Sequence, residues 1–133
     1  MNPDIAPSCD LSKDRLRLWL KLLKTQSAIE ADIRRRLREE FATTLPRFDV
    51  MSALFRHPKG LKMSEISGLL KVSNGNVTGI VDRLVEDGHV VRVAVPGDRR
   101  AHLARLTPAG VAAFEHLAAA HEDWLNGMLG GLE

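Results

Sequence analysis

The sequence holds no tyrosine and a single cysteine, Cys9. One cysteine cannot close an internal disulfide, so the chain is no disulfide-stapled secreted scaffold, and a reducing cytoplasm is the expected compartment. Long hydrophobic runs are also lacking. Charges interrupt every apolar stretch well short of the roughly 20 residues a membrane span needs, and no membrane role is expected. The opening "MNPDIAPSCD" has no basic start followed by an apolar core, so a secretory signal is not expected either. Catalytic signatures are missing: there is no Gly-x-Ser-x-Gly, no phosphate loop ending in Gly-Lys-Ser/Thr, and no carboxylate pair in a recognisable context. Neither an enzyme nor a cofactor is expected. The five histidines form no metal-ligand pattern. His116 and His121 lie about 140° apart around a helix, and a structural or surface role is expected for them. No internal repeat or low-complexity segment is found.

What is present is ordinary for a globular chain: 133 residues, 44% hydrophobic and 27% charged, enough for one domain with a real core. The net charge is +2, with a pI of about 9.0. So small an excess points to a polyanionic partner only if the cations cluster.

Residues from about Leu11 to Phe41 read as a helix, with Ile29, Ile33, Leu37 and Phe41 in register and Trp19 and Leu22 continuing the stripe. Cys9 precedes it. Arg34, Arg35, Arg36 and Arg38 crowd the opposite face, read as a solvated helix surface rather than a binding patch. A second helix starts at Thr44 or Leu45 with Pro46 in its first turn, where a missing N–H is harmless. Its stripe is Phe48, Met51, Leu54 and Phe55, and His57-Pro58-Lys59-Gly60 ends it. "LKM" is a candidate short strand. "SEISGLL" follows as a brief helix, with Ser64 as N-cap and Ile66, Leu69 and Leu70 inward.

After a tight turn at Lys71-Val72-Ser73, "VSNGNVTGIVDRL" opens a longer helix that runs to Gly88 as a C′ glycine. Val77, Ile80, Val81 and Leu84 share its buried side. Gly75 and Gly79 fall opposite, although each interior glycine costs a helix about 1 kcal/mol. Clearance for another molecule at the helix backbone accounts for them better than stability does. Ser73 is the N-cap, and the first-turn N–H groups suit a phosphate. "HVVRVAV" and "AHLARLT" pair across "PGDRR" as a two-stranded hairpin whose tip gathers Asp98, Arg99 and Arg100. Thr107 caps a last helix with Pro108 at its first position and Val111, Phe114, Ala118, His121, Leu125 and Met128 inside.

Two helices joined by a three-residue turn and followed by a hairpin make a winged helix-turn-helix, so the fold class is mainly α (α+β) with long N- and C-terminal helices. The constellation favours duplex DNA as partner, through an asparagine-bearing helix in the major groove and an arginine-bearing arm at the minor groove. Asn74, Asn76 and Thr78 are the candidate base readers. Lys62, Ser64, Ser73 and Arg83 are the candidate backbone contacts, with Asp98, Arg99 and Arg100 at the wing. The alternative is a winged helix serving as a protein-interaction module without a specific DNA site.

"RFDVMSAL", "MSEISGLLKVSNGNVTGIVDRLVEDGHVVR" and "GDRRAHLARLTPAG", with the long flanking helices, resemble the MarR family of bacterial transcriptional regulators over about Leu11 to Leu129. The most specific element is the wing pattern Asp98, Arg100, Leu106 and Thr107. The resemblance implies Ser73 to Asp87 as recognition helix, Arg100 at the minor groove and Asp98 holding the arm's shape. It also implies a homodimer joined through residues 11–42 and 108–133, with residues 45–107 as the DNA-binding part of a single domain spanning 1–133. A repressor on a pseudo-palindromic operator is expected, with half-sites about one helical turn apart. A small aromatic or phenolic effector is implied as well, with Trp19, Phe41 and Trp124 as candidate lining.

Some members sense hydroperoxides through an N-terminal cysteine supported by tyrosines, and with 0 tyrosines here Cys9 is not expected to do so. Three departures stand out: Lys71 where the family has a turn glycine, Gly79 where a larger side chain is common, and an end at "NGMLGGLE" where relatives continue into another helix.

Overall fold

The structure is a computed structural model; it describes residues 5–131, with the side chains of residues 5–9 and Arg99 outside what is described. The elements run α1 (Ile5–Phe41), α2 (Leu45–Arg56), β1 (Leu61–Lys62), α3 (Met63–Leu70), α4 (Asn74–Glu86), β2 (Val90–Val95), β3 (Asp98–Leu106) and α5 (Pro108–Leu129). Helix α1 begins earlier than its apolar spacing indicates and takes in the backbone of Cys9, which therefore does not precede it.

Start signals act as the sequence suggests at three helices. Thr44 accepts from the Arg47 N–H at 3.3 Å, Ser73 from Asn76 at 3.2 Å and Thr107 from Gly110 at 2.9 Å. Helix α3 differs: Lys62, not Ser64, is its N-cap, and Glu65 reaches back to the Lys62 N–H at 2.9 Å. Ser64 is the second residue of the helix.

Strand β1 adds to the hairpin, so the sheet has three strands in the order β1-β3-β2, rather than two. Leu61 pairs with Ala104 and Lys62 with Leu103, which gives the hairpin a third strand to lean on.

The core joins Ile33 and Leu37 of α1 with Phe48, Val50, Met51, Ala53 and Leu54 of α2. Ile66, Val77, Val81, Leu84, Val90 and Ala104 continue it, and Phe114, Leu117 and Trp124 of α5 complete it. Several stripes are rotated from their expected positions. Phe55 and Leu69 are exposed. On α5 the buried residues are Gly110, Phe114, Leu117 and Trp124, so Val111 and Leu125 stand on the margin. Leu11, Leu16, Leu18, Trp19, Leu20, Leu22 and Leu23 of α1 are all exposed in the protomer.

Gly110 allows α5 to start against β2. A Cβ there would lie 2.0 Å from the carbonyl oxygen of His89. Around it, the Thr107 N–H donates to His89 O at 3.0 Å and the Thr107 hydroxyl to Gly88 O at 2.7 Å. The end of α4, both strands and α5 therefore meet in one tight node.

Candidate nucleic-acid interface

Between α3 and α4 the chain turns through Lys71, whose φ of 55° and ψ of 42° are left-handed. That is the C′ position of α3, where glycine is favoured because it has no Cβ to clash. The departure seen in the sequence is thus a lysine held in a glycine conformation. The Val72 N–H closes the turn on Ser67 O at 3.3 Å, and the Ser67 hydroxyl donates to Val72 O.

Helix α4 buries Val77, Val81 and Leu84 and leaves Ile80 half-buried. Asn74, Gly75, Asn76, Thr78 and Gly79 are exposed, and a Cβ added at either glycine would meet nothing within 4 Å. The side chains of Asn74 and Asn76 make no hydrogen bond among the described residues. The Thr78 hydroxyl is committed to Asn74 O at 2.9 Å, a local back-bond that leaves its methyl as the group a ligand would meet. The helix stops on a Schellman pattern: His89 N–H reaches Leu84 O and Gly88 N–H reaches Val85 O, both at 3.0 Å, with Gly88 at φ +79°.

Strands β2 and β3 connect through Pro96 and Gly97, whose φ of +83° fits a type II turn. Val95 pairs with Asp98 directly after Ala94 pairs with His102, so residues 99–101 bulge out of register at the tip. Asp98 spans the bulge by accepting from the Arg100 N–H at 3.0 Å, which fixes the shape of the arm. Arg100 itself is exposed.

Two concave spaces flank α4. One, of about 610 Å³, gathers Lys62, Ser64, Thr78 and Arg100, with Arg92, Ala101 and His102 beside them. The other, of about 570 Å³, holds Asn76 and Arg83 with Gly75, Gly79, Arg34 and Arg47. Arg83 also faces Asp87 at 3.3 Å. Arg47, Arg92 and Arg105 are missing from the sequence-based set. Arg92 pairs with Asp82 across from α4, and Arg105 donates to Lys59 O at 3.0 Å, tying β3 to the loop before β1. Only partner geometry reveals these roles; residue spacing carries no signal for them.

The arginine run on α1 is largely internal to its helix. Arg34 pairs with Glu30 at 2.6 Å, Arg35 with Asp32 and with Glu39 at 3.0 Å, and Arg36 with Asp32 at 3.1 Å. Glu30 and Asp32 are accordingly held below the ordinary carboxylate range, first by hydrogen bonds from Arg34 and Arg35 respectively.

A family model for the MarR family matches residues 43–101. The crystal structure of a MarR family transcriptional regulator from Silicibacter pomeroyi is 38% identical, over 93% of this chain and 85% of that one, with a TM-score of 0.75. The chain belongs to the MarR family. The transcriptional activatory protein BadR of Rhodopseudomonas palustris is 32% identical over 104 residues, 77% of this chain and 59% of BadR. The matched regions span about half to three-fifths of the curated relatives' lengths. Sco3205, a MarR family transcriptional regulator from Streptomyces coelicolor solved in complex with DNA, shares the fold. Its TM-score is 0.81 at 21% identity, over 92% of this chain and 76% of that one.

As a MarR family fold, the structure also locates the three aromatics expected around an effector, and it brings two of them together but not the third. Trp19 is exposed on α1, some 22 residues and about 33 Å of helix from Phe41. Trp124 is buried, edge-on to Phe41 at 6.0 Å, so these two pack on each other as core. Two of the five histidines have packing roles as well: His116 stands edge-on to Phe41 at 5.4 Å, and His121 lies 4.9 Å from Phe48. A separate groove of about 550 Å³ between α1 and α2 is walled by Leu22, Ile29, Ile33 and Leu45, with Glu30 and Asp49 at its edge. Burial pushes Asp49 above the ordinary carboxylate range, against the pull of Arg34 and His121.

Proposed function

We propose that the protein is a sequence-specific transcriptional regulator that binds duplex DNA as a homodimer. The observation that carries this reading is the exposed face of α4, with unengaged Asn74 and Asn76, lying beside a wing whose Arg100 is presented by an Asp98-braced bulge. A helix of this width fits a major groove about 12 Å wide, and an arginine at the end of an arm suits the minor groove beside it. A member of the same fold solved with DNA supports the partner class.

Seven exposed apolar residues between Leu11 and Leu23 support dimerisation, since an apolar helix face of that length needs cover in water. Residues 11–42 and 108–133 are accordingly proposed as the pairing helices, and residues 45–107 as the DNA-binding part. Two-fold pairing calls for a pseudo-palindromic operator. Repression follows where that operator overlaps a promoter; activation follows where it lies upstream, the sign that BadR's name carries. Effector response is proposed at the α1–α2 groove, which touches both the pairing helix and the DNA-binding part.

Selection of bound duplexes from a random library, followed by anisotropy titration at several salt concentrations, tests the reading. The expected result is one palindromic motif and a steep salt slope. Arg100→Ala is expected to weaken binding and flatten that slope. A library that yields no motif overturns sequence-specific binding.

A further inference from the structure

The second concave space beside α4 lies on the side away from the wing, and Asn76 is the one candidate base reader at its edge. It lies between α4 and the start of α2, and three guanidiniums border it, those of Arg34, Arg47 and Arg83, with no carboxylate among its lining residues. These cations are not equally free. Glu30 holds Arg34 at 2.6 Å and Asp87 faces Arg83 at 3.3 Å. Arg47 has no carboxylate within ion-pair distance among the described residues. It is set on the first turn of α2 by the Thr44 cap, which accepts from its backbone N–H. The side of the cleft formed by α4 is lined by Gly75 and Gly79, where an added Cβ would meet nothing within 4 Å. The α4 wall thus carries Asn76, Ile80 and Arg83 with a gap at the two glycines, and the start of α2 contributes the cation of Arg47.

A helix with its side chains is about 10–12 Å wide. Seated in a major groove of about 12 Å, it has one phosphate strand on each flank. The wing-side space, with Lys62 and Arg100, meets one strand. We infer that the α2–α4 cleft seats the sugar-phosphate backbone of the other, with Arg47 as its phosphate anchor and the two glycines as the gap through which that strand approaches. The ligand class is a phosphodiester polyanion. The inference rests on the DNA-binding reading and adds to it a contact on the strand away from the wing.

The test uses the full chain and the duplex recovered by selection, titrated by anisotropy across a salt series. Arg47→Gln is compared with Arg47→Lys, and with Arg56→Gln, which removes a cation at the other end of α2 whose side chain donates to Ser52 O at 3.3 Å. Losing one phosphate contact per protomer is expected to lower the salt slope by about 2 per dimer while the selected motif stays the same. Arg47→Lys keeps the charge and is expected to restore most of the slope; Arg56→Gln leaves it unchanged. Phosphate-ethylation interference is expected to lose its signal on one strand of each half-site in Arg47→Gln. A wild type that binds its motif, with an Arg47→Gln variant of the same slope and footprint, overturns the inference alone. A wild type with no specific binding overturns the DNA reading itself.

Discussion

Replacing Gly79 by alanine is expected to move stability and DNA affinity in opposite directions. Gly79 sits inside α4, where glycine costs about 1 kcal/mol relative to alanine. The added methyl meets nothing within 4 Å in the free protein, so no clash offsets that gain. For a chain of this size a gain of about 1 kcal/mol raises Tm by roughly 3–5 °C. In the complex the same methyl projects into the space where a DNA strand is proposed to run. Overfilling a close-packed contact costs about 1–3 kcal/mol, a loss of roughly 5- to 150-fold in affinity. Differential scanning calorimetry reads the first effect and anisotropy at fixed salt reads the second. Gly75→Ala, in the first turn, is expected to raise Tm less but to weaken binding similarly. A Gly79→Ala protein that melts higher and binds its operator as tightly as the wild type refutes the clearance argument. One that melts lower refutes the open helix face.

Lys71→Gly is expected to stabilise the fold by roughly 1 kcal/mol, because a side chain held in the left-handed region costs about 1–2 kcal/mol and glycine's freedom in the unfolded chain returns part of it; urea denaturation with an unchanged m-value checks this. Gly110→Ala is expected to destabilise by about 3 kcal/mol, since the new Cβ would lie 2.0 Å from a backbone oxygen; a Tm within a degree of wild type would contradict that packing. Asp49→Asn is expected to raise Tm at neutral pH. Burial lifts Asp49 above its unfolded value, so the native state holds that proton more tightly, and the carboxylate's contribution worsens as pH rises through the folded value. The gain is therefore expected to shrink toward about pH 4, and an equal gain at both ends would refute the cause.

Much of the fold was legible because its signals are local. Thr44, Ser73 and Thr107 cap where capping chemistry places them, and Val77, Val81 and Leu84 are buried on a helical period that needs no partner to be read. The misreadings arose where tertiary contacts choose among plausible faces. Phe55 and Leu69 fit their stripes but lie on the exposed edge, while Leu117 and Trp124 are drawn inward as α5 packs on α1 and α2. Ser64 lost the cap to Lys62 because β1 pairs with β3 and sets the helix start two residues earlier. Within the candidate interface, the exposed polar residues of α4 were readable from the wheel. Arg47 was not: its neighbour across the cleft is Arg83, 36 positions along the chain, and only the packing of α2 against α4 brings them to the same space.

The node at Gly110 bears on how such a protein could recognise DNA shape. His89 O lies against α5 at Gly110 and Thr107 is bonded to both Gly88 and His89, so the end of α4 and the base of the wing are tied at one junction. In the proposed complex the two are expected to move as a single stiff jig. A jig does not follow an ill-fitting duplex, so in the proposed complex the bending falls on the DNA. Base steps that touch no side chain would then still be selected, by how easily they twist or narrow to meet the fixed spacing between α4 and the wing tip.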